Sequence, residues 1–193
     1  IYQSGEESDD YAAYYNTLQF SDLAQVGMSV APWYGSLRTG VSWQGLQVSA
    51  LFTFKAGHVF RRKSISPGIE YNTNGEHSYH MDYYRRWEKP GDELHTDVPA
   101  RLDKYDVNIN SIYVYSTALI TPADAIRLQD ISATYTVSER ISGKLGLSSV
   151  SIYGSGRNLK ILWRKNNRGI DPDVPFTSYP VPHQWTMGVR VQF

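Results

Sequence analysis

The chain has 193 residues, with 19 basic and 19 acidic side chains, a formal charge of zero and no cysteine. Zero net charge leaves no electrostatic argument for nucleic acid or anionic lipid, and the missing cysteine removes disulfide scaffolds, thiolate metal sites and cysteine nucleophiles. No apolar run reaches the roughly 20 residues a membrane helix needs, which excludes a helical membrane protein but not a barrel, whose strands alternate.

The first residues, Ile1-Tyr2-Gln3-Ser4-Gly5-Glu6-Glu7, hold no basic-then-apolar signal peptide. The expectation is that a leader has been removed or that the chain is not the start of the gene product. The first predicted strand is Tyr34 to Trp43, with Leu37, Thr39, Val41 and Trp43 on one face. Gln44-Gly45 is a two-residue hairpin turn. The second strand, Leu46 to Ala56, places Leu46, Val48, Ala50, Phe52 and Phe54 on one face. A long stretch follows before the third strand, Ala125 to Val137. There the apolar parity slips from Ile126 and Leu128 to Ile131, Ala133 and Tyr135, which predicts a bulge near Gln129-Asp130. A short link, Ser138 to Gly146, reads as one helical turn. The fourth strand is Leu147 to Asn158, then come residues 159 to 182, then a last strand from His183 to Phe193. In that last strand Trp185, Met187, Val189, Val191 and Phe193 alternate with polar or small residues.

Short and long connections alternate along this series. Outer-membrane barrels show that asymmetry, short periplasmic turns at one end and long extracellular loops at the other. A compact soluble sandwich has short loops at both ends. The expected fold is therefore all-β: an antiparallel transmembrane β-barrel segment. Its final strand runs down to the periplasmic rim, where Trp43 and Phe193 fit the interfacial girdle. Single-chain barrels need about eight strands or more, so five strands are expected to be the carboxyl-terminal piece of a larger wall.

Several stretches resemble one family. Tyr34-Gly35-Ser36 through Trp43-Gln44-Gly45-Leu46 resembles a hairpin of the SusC/RagA-type TonB-dependent transporters. Arg86-Trp87-Glu88-Lys89-Pro90-Gly91-Asp92 with Thr96-Asp97-Val98-Pro99 is similar as well. So are Ile126-Arg127-Leu128-Gln129-Asp130-Ile131-Ser132 with Tyr135-Thr136, Gly146 to Val150 leading into Gly156-Arg157-Asn158-Leu159, and Gly169-Ile170-Asp171-Pro172-Asp173-Val174. Ala125 and Gln129 depart from the family pattern, which favours an aromatic or leucine at the first and a basic residue at the second. The match covers residues 32 to 193. It implies barrel strands there, extracellular loops at about 61–123 and 159–182, and the end of another loop in residues 1–31. It further implies a barrel of about 22 strands with a plugged lumen. The serine-elbow, zinc-protease, phosphate-loop and calcium-loop motifs are absent from the sequence, so neither enzyme activity nor a cofactor is expected. The implied partners are TonB, through a plug region absent from this chain, and a SusD-like lipoprotein lid. The implied cargo is an oligosaccharide or oligopeptide. A passive porin, a soluble carbohydrate-binding β-sandwich and a barrel enzyme remain as alternatives.

Candidate site residues follow from position. Tyr79, Tyr83, Tyr84, Trp87, Tyr113 and Tyr115 lie in the long connection, where aromatic faces stack on sugar rings or packing gives the loop its own small core. Trp185, Val189, Val191 and Phe193 form the expected barrel-assembly signal. Arg61-Arg62-Lys63 suggests lipopolysaccharide phosphate contact or a solvated loop base. His77 with His80 reads as polar loop rather than metal site. Asp171 and Asp173, flanking Pro172, read first as turn chemistry and second as a carboxylate pair.

Overall fold

A computed structural model describes residues 2–3, 6–7, 10–67, 80–102, 104–174 and 181–193. By backbone proximity the chain divides into two units. One holds Ile1–Gly27 and Arg61–Thr121, the other Met28–Phe60 and Pro122–Phe193.

The second unit is a sheet of five antiparallel strands in sequence order: β1 Trp33–Trp43, β2 Leu46–Ala56, β3 Ala125–Thr136, β4 Ser149–Arg164 and β5 Gln184–Gln192. The sheet is open, with β1 and β5 at its two edges. β1 and β2 meet at the expected tight turn. Gln44 and Gly45 both take positive φ, 46° and 85°, as a turn that follows the strand twist requires. A Cβ on Gly45 would stand 2.6 Å from the Thr136 carbonyl oxygen, so this position needs glycine twice over.

The predicted bulge is present. Leu51 pairs with Asp130 and Phe52 with Leu128, leaving Gln129 as the extra residue. β4 answers it with a bulge of its own. Asp130 pairs with Arg157 and Leu128 with Lys160, and between them Asn158 takes a φ of 55°. The Gln129 amide donates to Asn158 Oδ1 at 2.8 Å, tying the two irregularities together. These offsets re-phase β4, which continues to Arg164 rather than stopping at Asn158. The run Leu159-Lys160-Ile161-Leu162-Trp163 hid that extension, because bulges erase the period of two. The link between β3 and β4 is the expected helical turn, Glu139–Ser142 followed by Gly143–Leu145, closed by Gly146 at a φ of 71°.

Register sorts the sheet into two faces. Leu37, Phe52 and Leu128 share one rank, and Trp43, Leu46, Tyr135, Ile152 and Val189 another. Across the pleat lie Ser49, Ser132, Ser155 and Thr186. Three cross-strand glycines sit under aromatic rings. Cβ atoms on Gly35 and Gly156 would come within 2.7 Å of the Phe54 ring and 2.6 Å of the Trp185 ring, and Gly188 lies beneath Tyr153. A ring laid across a glycine covers backbone that the missing side chain leaves bare.

In the first unit the described elements are short. It carries the short helices Tyr11–Thr17 and Val107–Tyr115, the second capped by Asp106, whose carboxylate accepts the Asn108 and Ile109 amides at 2.8 and 3.0 Å. Its core is Ile65, Val98, Tyr113 and Leu119, with Tyr83 packed against it.

Candidate functional site

In the connection unit the core surrounds a buried ion pair. Arg62 is 2% exposed and its guanidinium meets the Asp82 carboxylate, with Asp97 at 3.6 Å from Nη2. Ser64 donates to Asp82 at 2.5 Å and shares a 2.7 Å hydrogen bond with the Tyr113 hydroxyl. Burial pushes the Asp82 carboxyl upward. The Ser64 hydroxyl and the Arg62 guanidinium outweigh it and hold the group below the ordinary carboxylate range. Burial, in turn, pushes the Tyr113 hydroxyl up.

The predicted loop aromatics separate into three environments. Tyr113 is in the core, 7% exposed. Tyr83 is half-buried, with the Arg86 guanidinium 4.2 Å from its ring centroid and the Tyr84 ring edge-on at 5.9 Å. Tyr84 and Tyr115 are each 73% exposed. Trp87 is half-buried and donates its indole N–H to Glu93 at 2.9 Å. Tyr79 lies outside the described residues, as does His77 of the histidine pair. His80 accepts the Asp82 amide at 3.2 Å. Among the described residues no group of histidines and carboxylates is arranged to hold a metal.

The stretch from Arg86 to Val98 is a hydrogen-bonded knot. Asp92 accepts the Glu88 and Lys89 amides at 3.1 Å each, Glu93 accepts the Gly91 amide at 2.8 Å, and the Trp87 amide donates to the Val98 carbonyl at 3.0 Å. Gly91 permits it with a φ of 102°. The knot holds Trp87 at both its amide and its indole N–H.

The cationic run does not form a solvated patch. Arg61 donates to the Val114 and Ser116 carbonyls at 2.9 and 2.7 Å and lies against the Tyr115 ring, and Arg62 is the buried cation. Lys63 alone of the three is exposed. This removes the reading of Arg61-Arg62-Lys63 as one phosphate site. Charge parity along the chain carries no sign of it, because buried arginines and solvated ones look alike in sequence.

In the sheet unit the polar face carries two ionic clusters. In one, Asp130 lies 3.6 Å from both Arg38 and Arg157, a carboxylate shared across strands. In the other, Arg127 reaches Asp171 at 2.7 Å and Asp173 at 3.0 Å, and Lys55 reaches Asp173 at 2.7 Å. Burial again raises the Asp173 carboxyl, but the Lys55 ammonium and the Arg127 guanidinium leave it lowered. The turn expected at Asp171-Pro172-Asp173 is there too. The Asp173 amide donates to Asp171 Oδ1 at 3.0 Å. Turn chemistry thus aims two carboxylates at the strand cations. Alternation places Lys55 and Arg127 on the polar side, but only the register shows that they share a carboxylate.

The apolar face is not covered by any described part of the unit. Leu37, Val41, Trp43, Ile152, Val189 and Val191 are exposed. Of the last strand, Trp185 is exposed as well, Met187 is 87% exposed and Phe193 at the chain end is 91% exposed. A cytosolic sheet would bury such a face; here the large buried hydrophobic residues Ile65, Val98, Tyr113 and Leu119 all belong to the other unit, and the sheet unit buries only Ala123 and Ala125.

No family model matches the chain. Over 114 residues, 51% of this chain, it is 31% identical to a TonB-dependent receptor of Formosa agariphila, of which the matched part is 10%. Among solved structures it superposes on the RagAB peptide importer in its 'open-open' state with a TM-score of 0.64 at 22% identity, over 92% of this chain and 19% of that one. A structure of the RagAB peptide transporter gives 0.65 at 21%, and the 'closed-closed' state 0.64 at 21%, each over 92% of this chain and 19% of that one. The chain therefore spans no more than 19% of the length of these relatives. The resemblance to SusC/RagA-type TonB-dependent transporters is borne out, and the fold is that of an open stretch of RagA barrel wall.

Proposed function

We propose that this chain is part of the barrel wall of a TonB-dependent outer-membrane importer, with residues 1–31, about 61–123 and the connection after Arg164 as its extracellular loops. The observation that carries this reading is the apolar face, which crosses all five strands and stays exposed. Lipid is the solvent that makes such a face favourable, and a closed barrel is the form in which its edge strands find partners. A soluble carbohydrate-binding sandwich needs a second sheet on that face. A passive porin shares the wall but neither the family resemblance nor a need for a lid.

In this reading a SusD-like surface lipoprotein captures an oligopeptide or oligosaccharide and presents it to the external loops. TonB acts through a plug supplied elsewhere in the protein. The exposed rings of Tyr84 and Tyr115, and the half-buried Tyr83 and Trp87, are the surfaces for stacking on cargo. Tyr113 contributes by packing, through the core that positions them. Trp185, Val189, Val191 and Phe193 serve as the assembly signal of the closing strand. The test is uptake in a strain lacking the gene, supplied in parallel with labelled oligopeptides and labelled oligosaccharides. Loss of one class is expected and names the substrate. Uptake of both at the parental rate overturns the proposal.

A further inference from the structure

The division of the sheet into polar and apolar faces has a charged exception. Lys160 stands opposite Leu128, and Leu128 opposite Phe52, so the register places this lysine on the apolar face. Its side chain is exposed and makes no ion pair or hydrogen bond among the described residues. An ammonium on an apolar surface is costly unless an anion meets it or its stem carries it to a polar boundary. One rung further along, towards the long connection, lie Phe54, Ile126 and Trp163. An exposed tryptophan there fits the boundary between hydrocarbon and headgroups.

In the other direction along β4 the side chains shrink. Ala133, Gly154 and Gly156 floor an open depression of about 380 Å³ beside Trp185 and Met187. A second, of about 470 Å³, adjoins it and shares Ala133, Gly154 and Met187. Together they make one apolar trough running along the strands. Its upper end, Gly156, is four residues from Lys160, roughly 13 Å of strand.

We propose that Lys160 and this trough form a site for one anionic, phosphate-headed lipid of the outer leaflet. The phosphate meets the Lys160 ammonium and one acyl chain lies in the trough. The site rests on the reading of the apolar face as lipid-facing. Charge decides the occupant: a single cation above an uncharged trough complements an amphiphile with a negative head and a hydrocarbon tail. The phosphate contact expected of Arg61-Arg62-Lys63 thus moves to a lysine that the sequence alone does not distinguish.

The test uses the intact barrel, isolated from outer membranes and placed in phosphatidylcholine nanodiscs. These contain a fixed fraction of either brominated-chain phosphatidylglycerol or brominated-chain phosphatidylcholine. Bromine quenches indole fluorescence on contact, and the component lost on Trp185→Phe reports the trough. Wild type is expected to be half-quenched at about fivefold less phosphatidylglycerol than phosphatidylcholine, the ratio one lysine near a membrane surface supplies. Lys160→Gln brings the two lipids to the same value. Gly154→Leu weakens quenching by both, and it has room, because the nearest atom to a Cβ there is the Thr186 oxygen at 3.7 Å. A wild-type barrel without lipid preference, or an unchanged preference in Lys160→Gln, overturns the proposal. A protein absent from the outer membrane fraction overturns the reading beneath it, and that is established before any lipid is added.

Discussion

In the connection unit Ile65, Val98, Tyr113 and Leu119 are buried against one another around an ion pair. In the sheet unit Leu37, Val41, Ile152 and Met187 stand exposed, and apart from Lys160 the charged strand residues lie across the pleat from them. The first arrangement is that of a small water-soluble domain, with apolar groups inside and a partnered charge among them. The second inverts it, with apolar groups outside. In the proposed barrel wall one chain follows both rules because its two regions answer to different solvents. The connection must hold its shape in water by its own packing, whereas the sheet needs only backbone pairing within and hydrocarbon without.

The largest expected effect tests the inside of the connection. Arg62→Met leaves the Asp82 carboxylate buried without its main cation, and breaking such a pair costs about 3–5 kcal/mol. Hydrogen exchange is expected to show protection lost across residues 61–121 while the sheet strands keep theirs. Equal loss in both regions would erase the distinction between them. Adding Asp82→Leu to Arg62→Met is expected to restore most of the protection.

The next tests the outside of the sheet. Val189→Arg puts a cation on the apolar face, at a cost of about 2–4 kcal/mol if the site is near the bilayer midplane. The expected readout is less heat-resistant barrel in the outer membrane. A variant that assembles and melts like wild type would show that Val189 faces no lipid.

A smaller effect comes from Asp106→Ala, which removes the cap of the helix Val107–Tyr115 and costs about 1 kcal/mol. It should loosen the connection and leave barrel melting unchanged. The smallest is a pH effect. The Asp82 carboxyl is depressed in the folded state, so its contribution is fully present above the ordinary carboxylate pKa near 4 and is lost as pH falls through the depressed value. Exchange in residues 61–121 is expected to be flat from pH 7 to 5 and to accelerate below about 4. Acceleration already between pH 7 and 5 would assign the control to another group.

Period-two alternation made the sheet readable, because each residue's face depends only on parity and on two glycine-permitted turns. The slip from Leu128 to Ile131 even located the bulge at Gln129. The far end of β4 was not readable, since the bulge at Asn158 shifts the phase through an apolar run. The connection was less legible still. Its core joins Ile65, Val98, Tyr113 and Leu119, residues far apart in sequence that share no period. Nothing local told Arg62 from Lys63, or a packed Tyr113 from an exposed Tyr115, although their surroundings are opposite.

The glycines beneath Phe54, Tyr153 and Trp185 carry a historical consequence. Each glycine and its ring occupy one volume on neighbouring strands, so neither can change freely while the other stays. Substituting Gly156 with a bulkier residue becomes tolerable only after Trp185 has shrunk. Among descendants of this wall, position 156 should therefore vary jointly with 185, 35 with 54 and 188 with 153. Those paired exchanges would record the strand neighbours, and with them the register, in sequence alone.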